Sequence, residues 1–407
     1  MKILQINAVN EYSSTGRTTA ELHAFLQNEG VDSYVAAINI ERPSNHMIKI
    51  GGKVSRYMHS FLSHLTGMQG CFSFFATKKL IKEIDHISPD VIHLRNLHSN
   101  FINLPLLLGF IAHKNIPTVL TLHDFWFLTG HCCYFTDANC NKFQSGCGNC
   151  PDLNNWNKSW FFDFTRHNLA LKRKLFGSIK ILAVIGVSDW VINYVRTSIL
   201  KDATIIKTIY NWVDTSVFCP RSVTSVESLR NKYNIGKDEF VILGVAQNWT
   251  VQKGLNEFVE LARITDAKIV LVGNPAQEMD AFPQNIIFAG VTASVDELAT
   301  FYSMADVFFN PTTRETFGKV TIEAQACGTP VIAYNATATP ELISEGCGFV
   351  LNERDLSEVN KCVEIIKREG KSKYVNNCRR SIVEHFDKQL LMKKYLNLYK
   401  ELQYERK

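Results

Sequence analysis

Glu315 and Glu323 stand eight positions apart on either side of an aromatic-glycine step, Phe317-Gly318. The run from Lys319 to Cys327 predicts a helix with Val320, Ile322 and Ala324 as apolar positions, and Gly328 and Pro330 predict its end. Glu315 then lies in the loop before this helix and Glu323 about one turn inside it. A helix N-terminus leaves backbone N–H groups unpaired, so the space between the two carboxylates offers a site for an anion such as phosphate. Carboxylates on both sides of a phosphate suit a ligand with hydroxyls at both ends. A nucleotide sugar is such a ligand, with ribose on one side of its diphosphate and a hexose on the other.

A second constellation is made of thiols. Cys132, Cys140, Cys147 and Cys150 fall within nineteen residues, the last two in the tight sequence C-G-N-C-P. Thiolates so spaced suit tetrahedral zinc, and a loop without its own core gains stability from a metal. The first two intervening runs, seven and six residues, are not those of a standard knuckle, and Cys133 adds an alternative ligand. Structural zinc and reduced, packed thiols both stand as readings. Catalytic zinc is not expected, because the chemistry at the carboxylates needs no metal-bound water.

The elements that must position these residues follow a βαβ rhythm. Ile3–Val9, Ser33–Ile38, Val91–Leu94, Thr118–Leu122, Ile181–Val187 and Ile205–Tyr210 read as strands, with helical patterns such as Thr18–Asn28 and Lys78–Ile87 between them. A second series runs through Phe240–Ala246, Lys268–Val272, Ile286–Ala289, Val307–Asn310 and Val331–Tyr334. The expected α/β organisation is an N-terminal doubly wound domain over 1–210 with a Cys-rich insert at 131–151, a linker over 211–239, and a second such domain over 240–387. The helix Lys388–Glu405 carries Leu390, Leu391, Tyr395, Leu398, Tyr399 and Leu402 as a stripe that needs a partner surface.

Length and composition agree. A chain of 407 residues with 46% hydrophobic content is globular and large enough for two cores, and a net charge of +5 gives no reason to expect nucleic acid. The first residues form a short strand pattern broken by Gln5 and Asn7, unlike a signal peptide, and no run of 18 uncharged apolar residues occurs. With 11 cysteines, an odd number, the expected compartment is a reducing cytoplasm. The sequon Asn248-Trp249-Thr250 is then a coincidence.

The motifs also carry a family resemblance. E-T-F-G followed by E-A-Q-A-C-G-T-P-V-I-A resembles the signature of glycosyltransferase family 4, retaining enzymes of the GT-B fold, in which two Rossmann-like domains face each other across a cleft. I-Y-N-W-V-D-T-S-V-F-C-P at Ile209–Pro220, Q-K-G-L at Gln252–Leu255 and A-T-P-E-L-I at Ala338–Ile343 extend the likeness. T-L-H-D-F-W-F-L-T-G-H-C at Thr121–Cys132 is similar to colanic-acid-type and O-antigen glycosyltransferases.

The resemblance implies that Glu323 accepts hydrogen bonds from ribose and that Glu315 faces the donor hexose. It implies that the backbone of Phe317, Gly318 and Lys319 holds the distal phosphate and that Lys253 stabilises the departing diphosphate. His123 would contact the sugar, and Gly16 would lie in a loop close to the phosphates. One departure stands out: where the family pairs its lysine with an arginine, this chain has Gln247 and Asn248, which leaves Arg17 as a candidate second cation.

The expected activity is transfer of a hexose from a UDP-, GDP- or dTDP-linked donor to a lipid-linked glycan in bacterial surface polysaccharide synthesis. No metal is expected in catalysis, since no Asp-x-Asp frame appears. Rival readings are a non-hydrolysing nucleotide-sugar epimerase and an inactive binding subunit; a dinucleotide-dependent oxidoreductase is disfavoured by the absence of G-x-G-x-x-G after the first strand. His93 and His98 read as structural. Two basic-aromatic stretches, Lys53–Lys82 and Asn157–Lys180, read either as packed aromatics with solvated lysines or as contacts to an anionic membrane leaflet on the inner face.

Overall fold

The computed structural model describes residues 1–11, 13–155, 157–274 and 282–406. The chain forms two compact units, one of Met1–Ile209 with Met392–Lys407 and one of Tyr210–Leu391. The first unit is built on β1 (Lys2–Ile6), β2 (Asp32–Ala37), β3 (Met47–Lys49), β4 (Val91–Leu94), β5 (Thr118–Leu122), β6 (Leu182–Gly186) and β7 (Ile205–Thr208). These strands are all parallel, in the order β3-β2-β1-β4-β5-β6-β7. The second unit holds β8 (Val241–Asn248), β9 (Lys268–Asn274), β10 (Ile286–Gly290), β11 (Val307–Asn310), β12 (Val331–Tyr334) and β13 (Gly348–Leu351), parallel in the order β10-β9-β8-β11-β12-β13.

Both sheets are doubly wound, so their central strands are covered on two faces and read as unbroken apolar runs. Every residue of β4, β5, β6, β11 and β12 is buried. In each sheet the strand order reverses beside the first strand of the unit, between β1 and β4 and between β8 and β11. Loops leaving the carboxyl ends of those neighbours diverge, and the crevice between them is where open α/β sheets bind ligands.

The edge strands β3 and β13 have no counterpart in the sequence reading. They are three and four residues long and only partly buried, so neither carries a sustained pattern. The stretch 211–239, expected as a linker, belongs to the second unit. Its helix Val223–Lys232 packs beside Val295–Met304, with Tyr233 against Phe301 at 5.5 Å and Lys232 3.0 Å from Glu297. Helix Lys388–Glu405 has the predicted bounds, and from Met392 onward it belongs to the first unit.

Candidate functional site

The second unit brings Glu315 and Lys253 together at its switch point, with Glu323 one turn into the helix that follows. Lys253 leaves β8 on a 3-10 turn, Val251–Lys253, and Glu315 lies in the loop leaving β11. Gly254, at φ 80°, ends the turn, and a side chain there would collide with Pro311. Only glycine meets both conditions, so the Lys253 turn is seated directly on the Glu315 loop. Lys253 Nζ lies 2.6 Å from Glu315 Oε1, with the lysine side chain 41% exposed and the glutamate 20%.

Gly318, at φ 94°, stands at the start of helix Lys319–Ala326, and no side chain caps it. The Thr321 N–H closes the first turn on the Gly318 carbonyl at 3.0 Å, and this N-terminus follows directly on the loop that carries Glu315. Asn310 Nδ2 donates to Thr321 Oγ1 at 3.0 Å, tying the end of β11 to the helix. Gln325 Nε2 donates to the Leu342 carbonyl at 2.7 Å and ties the helix to the A-T-P-E-L-I block. Phe317 is buried beside Tyr210 and Phe386. Glu323 is 5% exposed, and one of its oxygens accepts from Tyr302 Oη at 3.1 Å.

Two residues of this neighbourhood were not legible from sequence. Tyr302 sits in an apolar helical pattern, Val295–Met304, that reads as core. Thr337 has φ 54°, a left-handed backbone that is strained for a β-branched residue, and its Oγ1 accepts from the Glu315 N–H at 3.4 Å. Asn248 is exposed at the end of β8 and accepts from Asn274 Nδ2 at 2.8 Å.

In the first unit, Gly16 lies inside the first turn of helix Ser13–Asn28 rather than in a loop. A Cβ there would come 3.2 Å from Val9 and 3.4 Å from the backbone of Asn10 and Glu11, so its missing side chain serves packing of the post-β1 loop. Arg17 is exposed on the same helix. His123 is buried immediately after β5. Beside it, Asp124 accepts from His98 Nε2 at 2.8 Å and from the Trp126 N–H at 2.9 Å. Burial pushes the Asp124 carboxyl up, but His98 and the Trp126 N–H outweigh it and hold the group below its ordinary value. His93 is enclosed between Tyr399 Oη at 2.7 Å and Thr121 Oγ1 at 2.8 Å, and burial keeps it neutral.

One basic residue differs from its expected setting. Lys172, read from sequence as part of a solvated or membrane-facing stretch, is 2% exposed. Its ammonium donates to the carbonyls of Trp126 and Thr129 at 2.5 and 2.9 Å and lies 3.7 Å from the Trp126 ring centroid. Two fixed carbonyls and an aromatic face replace its water, while burial lowers its pKa to about 7. The aromatics of the two basic-aromatic stretches behave otherwise: Tyr57, Phe61 and Phe75 of the first and Trp160, Phe161 and Phe162 of the second are all exposed. Among the described residues no helix is long and apolar enough to cross a membrane.

Cys132, Cys140, Cys147 and Cys150 line one small cavity, together with Phe135, Phe143 and Thr165. No three of their sulfurs lie within 4.8 Å of one another. The group that meets this condition among the described residues is His98, Asp124 and Cys133.

Comparison with known proteins matches these features. A family model described as Glycosyltransferase Family 4 matches residues 15–217, and one described as Glycosyl transferases group 1 matches residues 239–367. Together they account for most of the chain, which belongs to this family of glycosyltransferases. The N-acetyl-alpha-D-glucosaminyl L-malate synthase of Bacillus anthracis is 26% identical over 230 residues, 53% of this chain and 58% of the relative. The capsular polysaccharide biosynthesis glycosyltransferase CapM of Staphylococcus aureus is 25% identical over 185 residues, 42% of this chain and 49% of the relative. The chain thus spans about half the length of the curated relatives it matches. Among solved structures, Alr3699/HepE of Anabaena in complex with UDP superposes with a TM-score of 0.69 at 15% identity, covering 98% of this chain and 100% of that one. That likeness defines the fold, GT-B. The same protein has also been solved with UDP-glucose.

Proposed function

We propose that this protein transfers a hexose, with retention of configuration, from a nucleoside diphosphate sugar to a lipid-linked glycan in bacterial surface polysaccharide synthesis. The observation that carries this reading is the meeting of Lys253 with Glu315 beside the uncapped N-terminus of helix Lys319–Ala326, with Glu323 buried one turn in. In the free chain Glu315 serves as counter-ion to Lys253. A pair this exposed is worth about 0–1 kcal/mol, so a donor diphosphate takes over the ammonium at little cost. Glu315 is then released to face the sugar hydroxyls. As the glycosidic bond breaks, negative charge grows on the diphosphate, which the Lys253 ammonium and the positive end of the helix dipole stabilise. Glu323, steadied by Tyr302, keeps a second oxygen for ribose.

The relatives support this reading at its coarser level: CapM is named for capsular polysaccharide synthesis, and HepE binds UDP-glucose. The exposed aromatics of the first unit, with exposed Lys53, Lys78, Lys79, Lys82 and Lys158 nearby in sequence, support a position on the anionic cytoplasmic leaflet, where a lipid-linked acceptor resides.

A thermal-shift panel of UDP-, GDP- and dTDP-sugars tests the donor site. A ligand present at 100 times its Kd stabilises the folded state by about 2.7 kcal/mol, so one nucleotide series separates from the others. Glu323→Ala should abolish that separation. No shift with any nucleotide removes the proposal, and donor interconversion without acceptor would make the protein an epimerase.

A further inference from the structure

The insert running from His131 to Pro151 is held with little regular structure. It contains two 3-10 turns, Phe135–Ala138 and Lys142–Gln144, and no strand. Phe135 and Phe143 are buried and pack in a tilted arrangement with ring centroids 4.7 Å apart. Around this pair the chain doubles back so that Cys132, Cys140, Cys147 and Cys150 border one cavity of about 20 Å³. Such a space holds about one water-sized sphere, which is also the scale of a single metal ion.

The C-x2-C turn is built to place two sulfurs on one side. Gly148 and Asn149, between the two cysteines, have φ 122° and 48°, a reversal that side chains with a branched Cβ do not accept. The backbone N–H of Gly130 donates to Cys147 Sγ at 3.4 Å and fixes that sulfur beneath the start of the insert.

Cations gather at the same turn. Lys142 Nζ donates to the carbonyls of Gly148 and Asn149 at 3.3 and 2.8 Å, and Arg166 Nε donates to the Cys147 carbonyl at 3.3 Å. Lys172 is buried under the start of the insert through the Trp126 and Thr129 carbonyls. Two carboxylates stand nearby: Asp163, which accepts from the Cys150 N–H at 2.8 Å, and Asp152, which is buried and lies in the chain just past the last cysteine. Asp124, within electrostatic range of Lys172, and Asp137, inside the insert itself, add two further carboxylates, so charges of both signs surround the cysteines.

We propose that Cys132, Cys140, Cys147 and Cys150 bind one zinc ion in a tetrahedral, all-thiolate, structural site that fixes the insert to the first unit. Binding releases four thiol protons to solvent, forms four sulfur–zinc bonds and involves no change of oxidation state. The resulting cluster carries a net charge of −2, and Lys142 and Arg166 are held at the C-x2-C turn beside it. Ligation draws the sulfurs together, to about 3.8 Å apart for zinc–sulfur bonds of about 2.3 Å in a tetrahedron. Zinc suits the site because four soft sulfurs in tetrahedral array are its preferred structural set, whereas calcium and magnesium require oxygen.

Elemental analysis of full-length protein purified without a chelating tag tests this. The expected content is about one zinc per chain. The double variant Cys147→Ser/Cys150→Ser should lose the metal, and Cys133→Ser should keep it. Because the double variant can fail to fold, cobalt substitution of the wild-type protein provides an independent readout, with sulfur-to-cobalt charge-transfer bands and the visible spectrum of a tetrahedral four-thiolate site expected. A folded wild-type chain free of zinc overturns the proposal, as does a mass two units low per cysteine pair under denaturing, non-reducing conditions, the sign of disulfides. Zinc lost in Cys133→Ser but retained in the double variant also overturns it, and assigns the metal to His98, Asp124 and Cys133.

Discussion

At the scale of single residues, Lys253 is the sharpest test of the chemistry. Its contact with Glu315 is strong in geometry at 2.6 Å, yet the ammonium is 41% exposed, so the pair contributes little to folding. Lys253→Ala should therefore leave the melting temperature nearly unchanged while lowering kcat about 10²-fold or more, the loss seen when a preorganised electrostatic group is removed. Steady-state kinetics beside a melting curve separate the two effects; a near-wild-type rate returns Lys253 to the role of an ordinary turn residue. The local settings of Lys253, Glu315 and Glu323, a glycine turn, the loop before a helix and its first turn, were readable in the sequence because each belongs to a short contiguous motif whose geometry travels with it. Lys172 shows the opposite case. Its partners are the carbonyls of Trp126 and Thr129, more than forty positions away, and nothing in its own neighbourhood distinguishes it from the solvated lysines beside it. Tyr302, which steadies Glu323, was hidden in the same way, since its hydroxyl is one polar atom in an apolar helical face.

At the scale of elements, the buried central strands were legible because burial on both faces leaves an apolar run that needs no knowledge of neighbours. The short edge strands β3 and β13 were not, because an edge three or four residues long is defined by the strand it pairs with. The helices Lys53–Thr66 and Phe74–Ile87 fall between these cases. The second was visible in the helical pattern Lys78–Ile87 and the first was not, and which aromatics they bury was not visible either: His59 is buried and bonds Ser73 Oγ at 2.7 Å, while Tyr57 and Phe75 are 74% and 84% exposed. Trp160, 51% exposed, sits edge-on to Phe61 at 5.8 Å and extends the apolar surface to the segment before helix Thr165–Gly177. If this surface lies on a lipid leaflet, each ring contributes about 1.5 kcal/mol or more of burial, which is about tenfold in partition. Phe75→Ser combined with Phe161→Ser should then weaken sedimentation with anionic vesicles by about 100-fold with no change in melting temperature. Equal binding of wild type and variant would show that these rings do not face lipid.

At the scale of the whole molecule, the chain leaves the first unit at Tyr210 and returns to it at Met392, so that unit is completed by a segment more than 180 residues further along. The sequence announced the helix and its apolar stripe but not the surface that receives it, because a stripe states only that something must cover it. Leu391, Tyr395, Leu398, Tyr399 and Leu402 are buried as that stripe requires, while Leu390, counted with them from the sequence, is 39% exposed at the edge of the face. The receiving surface is polar at its centre. Tyr399 Oη meets His93 Nδ1 at 2.7 Å, Tyr395 Oη meets Thr121 Oγ1 at 3.1 Å, and His93 Nε2 meets the same Thr121 hydroxyl at 2.8 Å. All four groups are buried, so the network admits no water to replace a missing member. Tyr399→Phe keeps the ring and strands His93 Nδ1, a loss of about 1–3 kcal/mol. For a unit of this size that corresponds to roughly 2–12 °C in the transition of the first unit. Deleting the chain from Met392 onward removes the apolar stripe as well and should prevent the first unit from folding while leaving the second intact. Because two units need not unfold together, the measurement is calorimetry resolved into its transitions. If both variants leave the transition of the first unit where it stands in the wild type, the C-terminal helix does not complete that unit.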